Sequence, residues 1–234
     1  MSLLKQFLLA VRFVGLKATV RTILYAMYRD RMDKRFAQQA LPEEKQEIRP
    51  EKMEAVTSFH SGAFFLFNDG IRLDATFLSP HTVRLTWQPG RLPFEFAVES
   101  ELTVALKVDS RQIGEAWSLG TDDLTIMVYP DGRVEYFANN QVFHQDDPPV
   151  FQDPGWHQTS SLSEAAHLFG LGERAGFALL RDKYIFWNND IGGSYGLGAD
   201  PLYLTIPVYY CHQDLGSYLV FYENSHEGSI EFGQ

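Results

Sequence analysis

The chain has 234 residues, 45% hydrophobic and 14% aromatic, enough apolar material for a sizeable core and too much for a disordered chain. Its formal net charge of −10 is uneven: residues 1–36 hold eight Lys and Arg against two Asp, a balance of +6, which leaves −16 on the remainder. An acidic domain of that kind is unsuited to nucleic acid, and the single cysteine, Cys211, excludes an intramolecular disulfide and reads as a small core residue at a strand end.

From the N-terminus, Leu3, Leu4, Phe7, Leu8, Val11, Val14, Leu16, Val20, Ile23, Leu24 and Met27 recur near helical spacing and predict one amphipathic helix. Lys5, Arg12, Lys17 and Arg21 interrupt it too often for a membrane span, which needs about 18 uncharged apolar residues, and the pattern does not fit a signal peptide. The first expectation is a helix packed on its own domain or on further polypeptide. An anionic membrane surface reached through residues 1–36, a partner helix or a targeting role are the alternatives. A cytoplasmic location follows, with peripheral membrane association as its variant.

Between residues 29 and 54 the chain is highly charged, and Pro42 and Pro50 break any helix, so this stretch reads as a linker or a solvated helix end. The boundary is placed here: residues 1–49 as a basic helical extension with its charged linker, residues 50–234 as a β domain. Residues 56–67, 71–77, 82–87, 102–108 and 124–129 read as strands, and Tyr129-Pro130-Asp131-Gly132-Arg133 as a hairpin turn. Strands in succession with few helical intervals predict a mainly β protein, an antiparallel β-sandwich.

The densest information lies in residues 168–208. Gly170, Gly172 and Gly176 punctuate an apolar run, as positive φ or close backbone approach requires. Residues 183–187 predict a short buried strand that stops at Asn188-Asn189-Asp190 before a glycine-rich loop. Asp200-Pro201 opens a turn, and residues 202–210 predict a strand in which Pro207 marks an edge or a bulge. These pieces resemble, in order, the N-terminal domain of glycoside hydrolase family 31, the α-glucosidases and α-xylosidases: a GLGE turn at 170–173, W-N-x-D at 187–190, a Gly/Tyr loop at 191–198, D-P-L-Y at 200–203 and E-N-S at 223–225. The resemblance is strong over residues 168–233 and looser back to about residue 56. It implies a galactose-mutarotase-like sandwich.

The same resemblance implies what is missing. Family members place two catalytic aspartates in a following (β/α)8 barrel of about 250 residues, and no W-x-D-M-N-E-like motif begins at Trp87, Trp117, Trp156 or Trp187. The expectation is therefore a fragment, or a natural truncation, with no catalytic residue of its own. His60, His81, His144, His157, His167, His212 and His226 fall in no spacing that suggests an acid/base pair or a metal site, and each is expected to be structural. No cofactor or metal motif is recognised. By resemblance, Asp190 contacts substrate hydroxyls; a carboxylate accepts two O–H bonds of the stronger, charge-assisted kind, while the plainer reading is an Asp capping its own turn. Asn189 and Tyr195 join Asp190 as candidate substrate-binding residues. Glu173 and Asp200 are expected to fix turns, and Trp187 to pack in the core. Two readings stand: a noncatalytic domain of a retaining α-glycosidase acting on an α-linked oligosaccharide or glycoside, or a standalone carbohydrate-binding or membrane- or partner-interaction module.

Overall fold

The computed structural model describes residues 3–37, 47–89, 97, 106–152, 155–176, 179–180, 182–191, 195–224 and 226–233. The chain divides into two units, Met1–Gln46 and Glu47–Gln234.

The first unit holds two helices, α1 (Leu3–Val14) and α2 (Leu16–Ala37), where a single one is expected from periodicity. The break is Gly15, at φ +85°, a conformation that glycine adopts without cost. Its N–H donates to Val11 O at 3.0 Å, closing α1, and its carbonyl accepts the Thr19 N–H at 3.0 Å and the Thr19 hydroxyl at 2.9 Å, opening α2. Apolar residues flank the glycine on both sides, so periodicity alone runs straight through the break. Helix α2 continues to Ala37, so the charged stretch after Arg29 begins as helix. Pro42 falls outside the described residues.

The second unit is β, and every strand pair among its described residues is antiparallel. A four-stranded meander comprises β1 (Met53–Phe59), β2 (Gly62–Phe67), β3 (Arg72–Ser79) and β4 (Thr82–Gln88). The run expected over 56–67 is two strands turned at His60 and Ser61. Alternation then decides the faces: Ala63, Phe65 and Phe67 of β2 and Leu73, Ala75 and Phe77 of β3 are buried, while Phe64 lies outside beneath the Arg72 guanidinium, 3.9 Å from its ring centroid. A six-stranded sheet follows, of β5 (Asp109–Ile113), β6 (Ala116–Gly120), β7 (Thr125–Val128), β8 (Val134–Ala138) and β9 (Gln141–Asp146), with β12 (Ser160–Ser161) beyond β9. Leu119, Ile126, Val128 and Val134 meet the meander's buried residues in one core. The turn after β7 is the expected hairpin: Gly132 sits at φ +87°, and the Tyr129 N–H donates to Arg133 O at 2.9 Å. The strand expected over 102–108 is corrected. Residues 102–105 lie outside the described residues, and 106–108 are not strand; Leu106 is apolar because it is buried in this core.

The short strands β10 (Val150–Gln152) and β11 (Gly155–His157) pair with each other, and Phe151 bridges back to Ile48. A second core is built by β13 (His167–Gly172), β15 (Thr205–Gln213) and β16 (Gly216–Phe221), with β14 (Lys183–Phe186) pairing to β17 (Gly228–Glu231). Leu168, Leu171, Leu180, Tyr209, Cys211 and Phe232 are buried in it. Pairing along β13 and β15 passes from Gly170↔Tyr209 to Gly172↔Thr205, so Ile206, Pro207 and Val208 oppose Leu171 alone. Pro207 therefore stands in a bulge of the middle strand, where a residue without an N–H leaves no ladder bond unmade.

Candidate functional site

The candidate site is the loop of residues 188–198, and its base is held from three sides. The first is the turn after β13. Gly170, Leu171 and Gly172 all have positive φ, at 120°, 64° and 82°. A Cβ on Gly172 would lie 2.5 Å from Leu204 O and 2.8 Å from Ile206 N, so only glycine lets this turn press against the β15 bulge. The Glu173 N–H then donates to Leu204 O at 2.7 Å, so Glu173 joins the turn through its main chain. Gly176 has open space around it and no positive φ, and the expectation that it meets a backbone requirement is not met.

The second anchor is ionic. Arg174 is buried, and its Nη1 donates to Asp200 Oδ1 at 2.8 Å while Nη2 donates to Ile185 O at 3.4 Å. Asp200 Oδ2 accepts the Ile185 N–H at 2.6 Å. One carboxylate thus ties β14, the turn after β13 and the start of the 200–204 segment together, the structural role expected of Asp200. Burial pulls the guanidinium below its ordinary value, and Asp200 opposes that shift. Arg174 escapes sequence reasoning because its partner is 26 positions away.

The third anchor explains the residues after β14. Asn188 Oδ1 accepts the Thr205 N–H at 2.7 Å, the Thr205 hydroxyl donates to Trp187 O at 3.1 Å, and the Asn189 N–H donates to Leu202 O at 2.8 Å. Asn188 is thus spent on positioning, a role that the sequence reading did not separate from its neighbours. Asn189 and Asp190, next in line, are exposed, and Tyr195 further along is half-exposed. Gly192, Gly193 and Ser194 lie outside the described residues. Trp187 corrects an expectation: it is 52% exposed, not core. Strand β14 ends at Phe186, and among the described residues it pairs with β17 alone, with no strand extending the core over the indole.

The histidines separate by environment. His144 is buried, and its Nε2 lies 3.0 Å from Asp146 Oδ1, whose carboxylate also accepts Ser160 Oγ–H at 2.6 Å and Tyr136 O–H at 2.6 Å. Burial alone would raise Asp146, but the hydrogen bonds from His144, Ser160 and Tyr136 outweigh it and hold the carboxyl below the usual range. These bonds join β8, β9 and β12 away from solvent, so His144 is structural, as expected. His212 sits on an exposed face, 2.8 Å from Ser217 Oγ. Among the described residues no group of three or more His, Cys, Asp and Glu side chains is arranged to hold a metal.

Comparison with known proteins places this arrangement. The model of the glycosyl hydrolase 31 N-terminal galactose mutarotase-like domain matches residues 72–231. Alpha-glucosidase 2 of Bacillus thermoamyloliquefaciens is 28% identical over 72 residues, which are 30% of this chain and 9% of that protein. A GH31 dextranase of Flavobacterium johnsoniae, solved with glucose, superposes with a TM-score of 0.69 at 20% identity over 79% of this chain and 24% of its own. The alpha-1,4-glucan lyase of Gracilariopsis lemaneiformis gives 0.56 at 12% identity, over 80% of this chain and 26% of its own. The last two are likenesses of fold, and the chain spans about a quarter or less of each relative. With the GLG turn and the pinned W-N-x-D segment inside the matched residues, which make up more than half of the chain, the chain belongs to the glycosyl hydrolase 31 N-terminal galactose mutarotase-like domain family.

Proposed function

We propose that residues 50–234 act as the noncatalytic N-terminal domain of a retaining α-glycosidase of the α-glucosidase type, with residues 1–49 as a separate helical extension. The domain supports a catalytic barrel and lends it the loop of residues 188–198. The chemistry of bond cleavage belongs to the barrel. This domain contributes Asp190, which accepts hydroxyl hydrogen bonds from an α-linked oligosaccharide or glycoside next to the scissile bond, with Asn189 and Tyr195 beside it. The observation that carries the reading is the geometry of the loop: Asn188, Arg174 and Asp200 hold its base, and Asn189 and Asp190, next in line, are at the surface. A loop held in this way positions a polar group within the tolerance that catalysis needs.

The deciding experiment is Asp190→Asn in the protein in which this domain accompanies its barrel. A charge-assisted hydrogen bond contributes about 1.5–3 kcal/mol, so kcat/KM falls about 10-fold to 200-fold at an unchanged melting temperature. Wild-type kcat/KM with a lowered melting temperature makes Asp190 a turn cap and removes it from the site. The exposed rings of Trp187 and Tyr195 favour a second reading, a standalone carbohydrate-binding module in the cytoplasm. Calorimetric titration of this chain alone with maltose and isomaltose separates the two. No heat of binding is expected from a domain that forms one wall of a shared site, and saturable binding selects the module.

A further inference from the structure

Independently of the sugar reading, we propose that residues 3–28 lie in the surface of an anionic lipid bilayer. Four features of the helical unit converge. Helix α1 carries only two charges, Lys5 and Arg12, seven positions apart and so on one face, and the rest of its surface is almost wholly apolar. Leu4, Leu8 and Phe13 are exposed, Phe13 by 79%, and in α2 Leu16, Leu24 and Met27 are exposed as well. In a chain with 30 acidic residues the first is Asp30, so residues 1–29 hold basic charge alone. Neither helix has an acidic residue in its first turn, where the helix dipole ordinarily favours one.

That last feature selects the occupant. A helix made for a protein groove gains from acids at its N-terminus, and losing them at both helices fits a surface that is itself negative. A second copy of this segment brings +4 against +4, from Lys5, Arg12, Lys17 and Arg21, and is repelled at close range. A lipid surface takes both halves of the pattern at once, apolar side chains into the acyl boundary and Lys and Arg beside the headgroups. The orientation is in-plane. Twelve residues span about 18 Å against about 30 Å of hydrocarbon, and no helix among the described residues is long and apolar enough to cross a membrane. Tyr25 and Tyr28, both exposed, match the headgroup depth that tyrosine favours, and beyond Arg29 the helix becomes densely charged, as chain returning to water requires.

The test is sedimentation of the full chain with phosphatidylcholine vesicles, with and without phosphatidylserine at about one lipid in three. The chain is expected to pellet with the mixed vesicles, to stay in solution with phosphatidylcholine alone, and to dissociate as salt is raised. Lys5→Gln with Arg12→Gln weakens binding about 25-fold, about 5-fold for each charge. Phe13→Ser also weakens it while the melting temperature of the β unit stays unchanged, so lost binding is not lost folding. Equal binding to both vesicles, no binding to either, or full binding by the Lys5→Gln, Arg12→Gln variant overturns the proposal. A concentration-dependent dimer that Phe13→Ser abolishes, without vesicle binding, assigns the face to a second copy and overturns it as well.

Discussion

The two cores of the β unit use the same alternating pattern to different ends. In the first, inward Phe65, Phe67, Leu73 and Ile126 are fully buried, while outward positions such as Thr57 and Arg111 are polar and exposed. In the second, Tyr209 and Cys211 of β15 are buried, yet the outward neighbours are apolar too. Tyr210 pairs with Leu219 and Val208 with Phe221, and Leu219 is 61% exposed. A sheet apolar on both faces and covered on one is built to receive something. The first core stores stability, and the second combines a modest core with a surface and a loop, so damage to the two should be felt in different measurements.

The largest expected effect is in the first core. Phe65→Ala removes a fully buried ring from the middle of β2 and should cost about 3–5 kcal/mol, a fall in melting temperature of roughly 6–20 °C. A fall of under 2 °C, roughly the shift from 0.5–1 kcal/mol at this size, would show that the first core is loosely packed and erase the contrast.

Next is the pair that pins the loop. Arg174→Ala leaves the Asp200 carboxylate poorly compensated in a site where it is 15% exposed, which should cost about 3 kcal/mol. Hydrogen exchange at the Ile185 N–H, which Asp200 accepts, should accelerate far more than exchange at Phe65. Uniform acceleration across both cores would mean that the β unit opens as one piece and that the second core has no separate stability.

These two positions also show what the sequence discloses and what it withholds. Strand alternation around Phe65, the Tyr129–Arg133 hairpin and the glycines of the GLG turn are local requirements, each written in a few adjacent residues, and they are legible. The Arg174–Asp200 pair, the Asn188–Thr205 bond and the exposure of Trp187 depend on which segments meet across 15 to 30 positions, and no local pattern encodes that. Gly15 belongs between the two classes: helical periodicity continues on either side of it, and only its +85° φ shows that one helix has become two.

Smaller effects come from protons. Asp146 is held below the usual carboxylate range, so its contribution is present above the unfolded value of about 3.9 and is lost as pH falls through the folded value. Tyr222, in the second core, is pushed by burial up to about 12, so its contribution is present below the unfolded value of about 10 and is lost as pH rises towards 12. Asp146→Asn should flatten the acid limb of stability against pH, and Tyr222→Phe the alkaline limb. In alkali, exchange at Val220 should rise before exchange at Leu73. The reverse order would place the weaker core in the first half.

The smallest expected effect is the most telling. Replacing Leu219 by Ser on the outward face of β16 should change the stability of this chain by no more than about 1 kcal/mol, because that side chain is already 61% exposed and little burial is lost when it becomes polar. The same substitution in a protein where this domain accompanies the proposed barrel should weaken domain docking, seen as easier proteolytic separation of the two parts and a lower melting temperature for the whole. Those outcomes must occur together: a neutral effect here with a neutral effect there leaves the face without a partner, and a loss above about 1 kcal/mol in this chain alone means that the face is covered by its own polypeptide. In either case the contrast between a core that stores stability and a core that serves an interface would fail at Leu219.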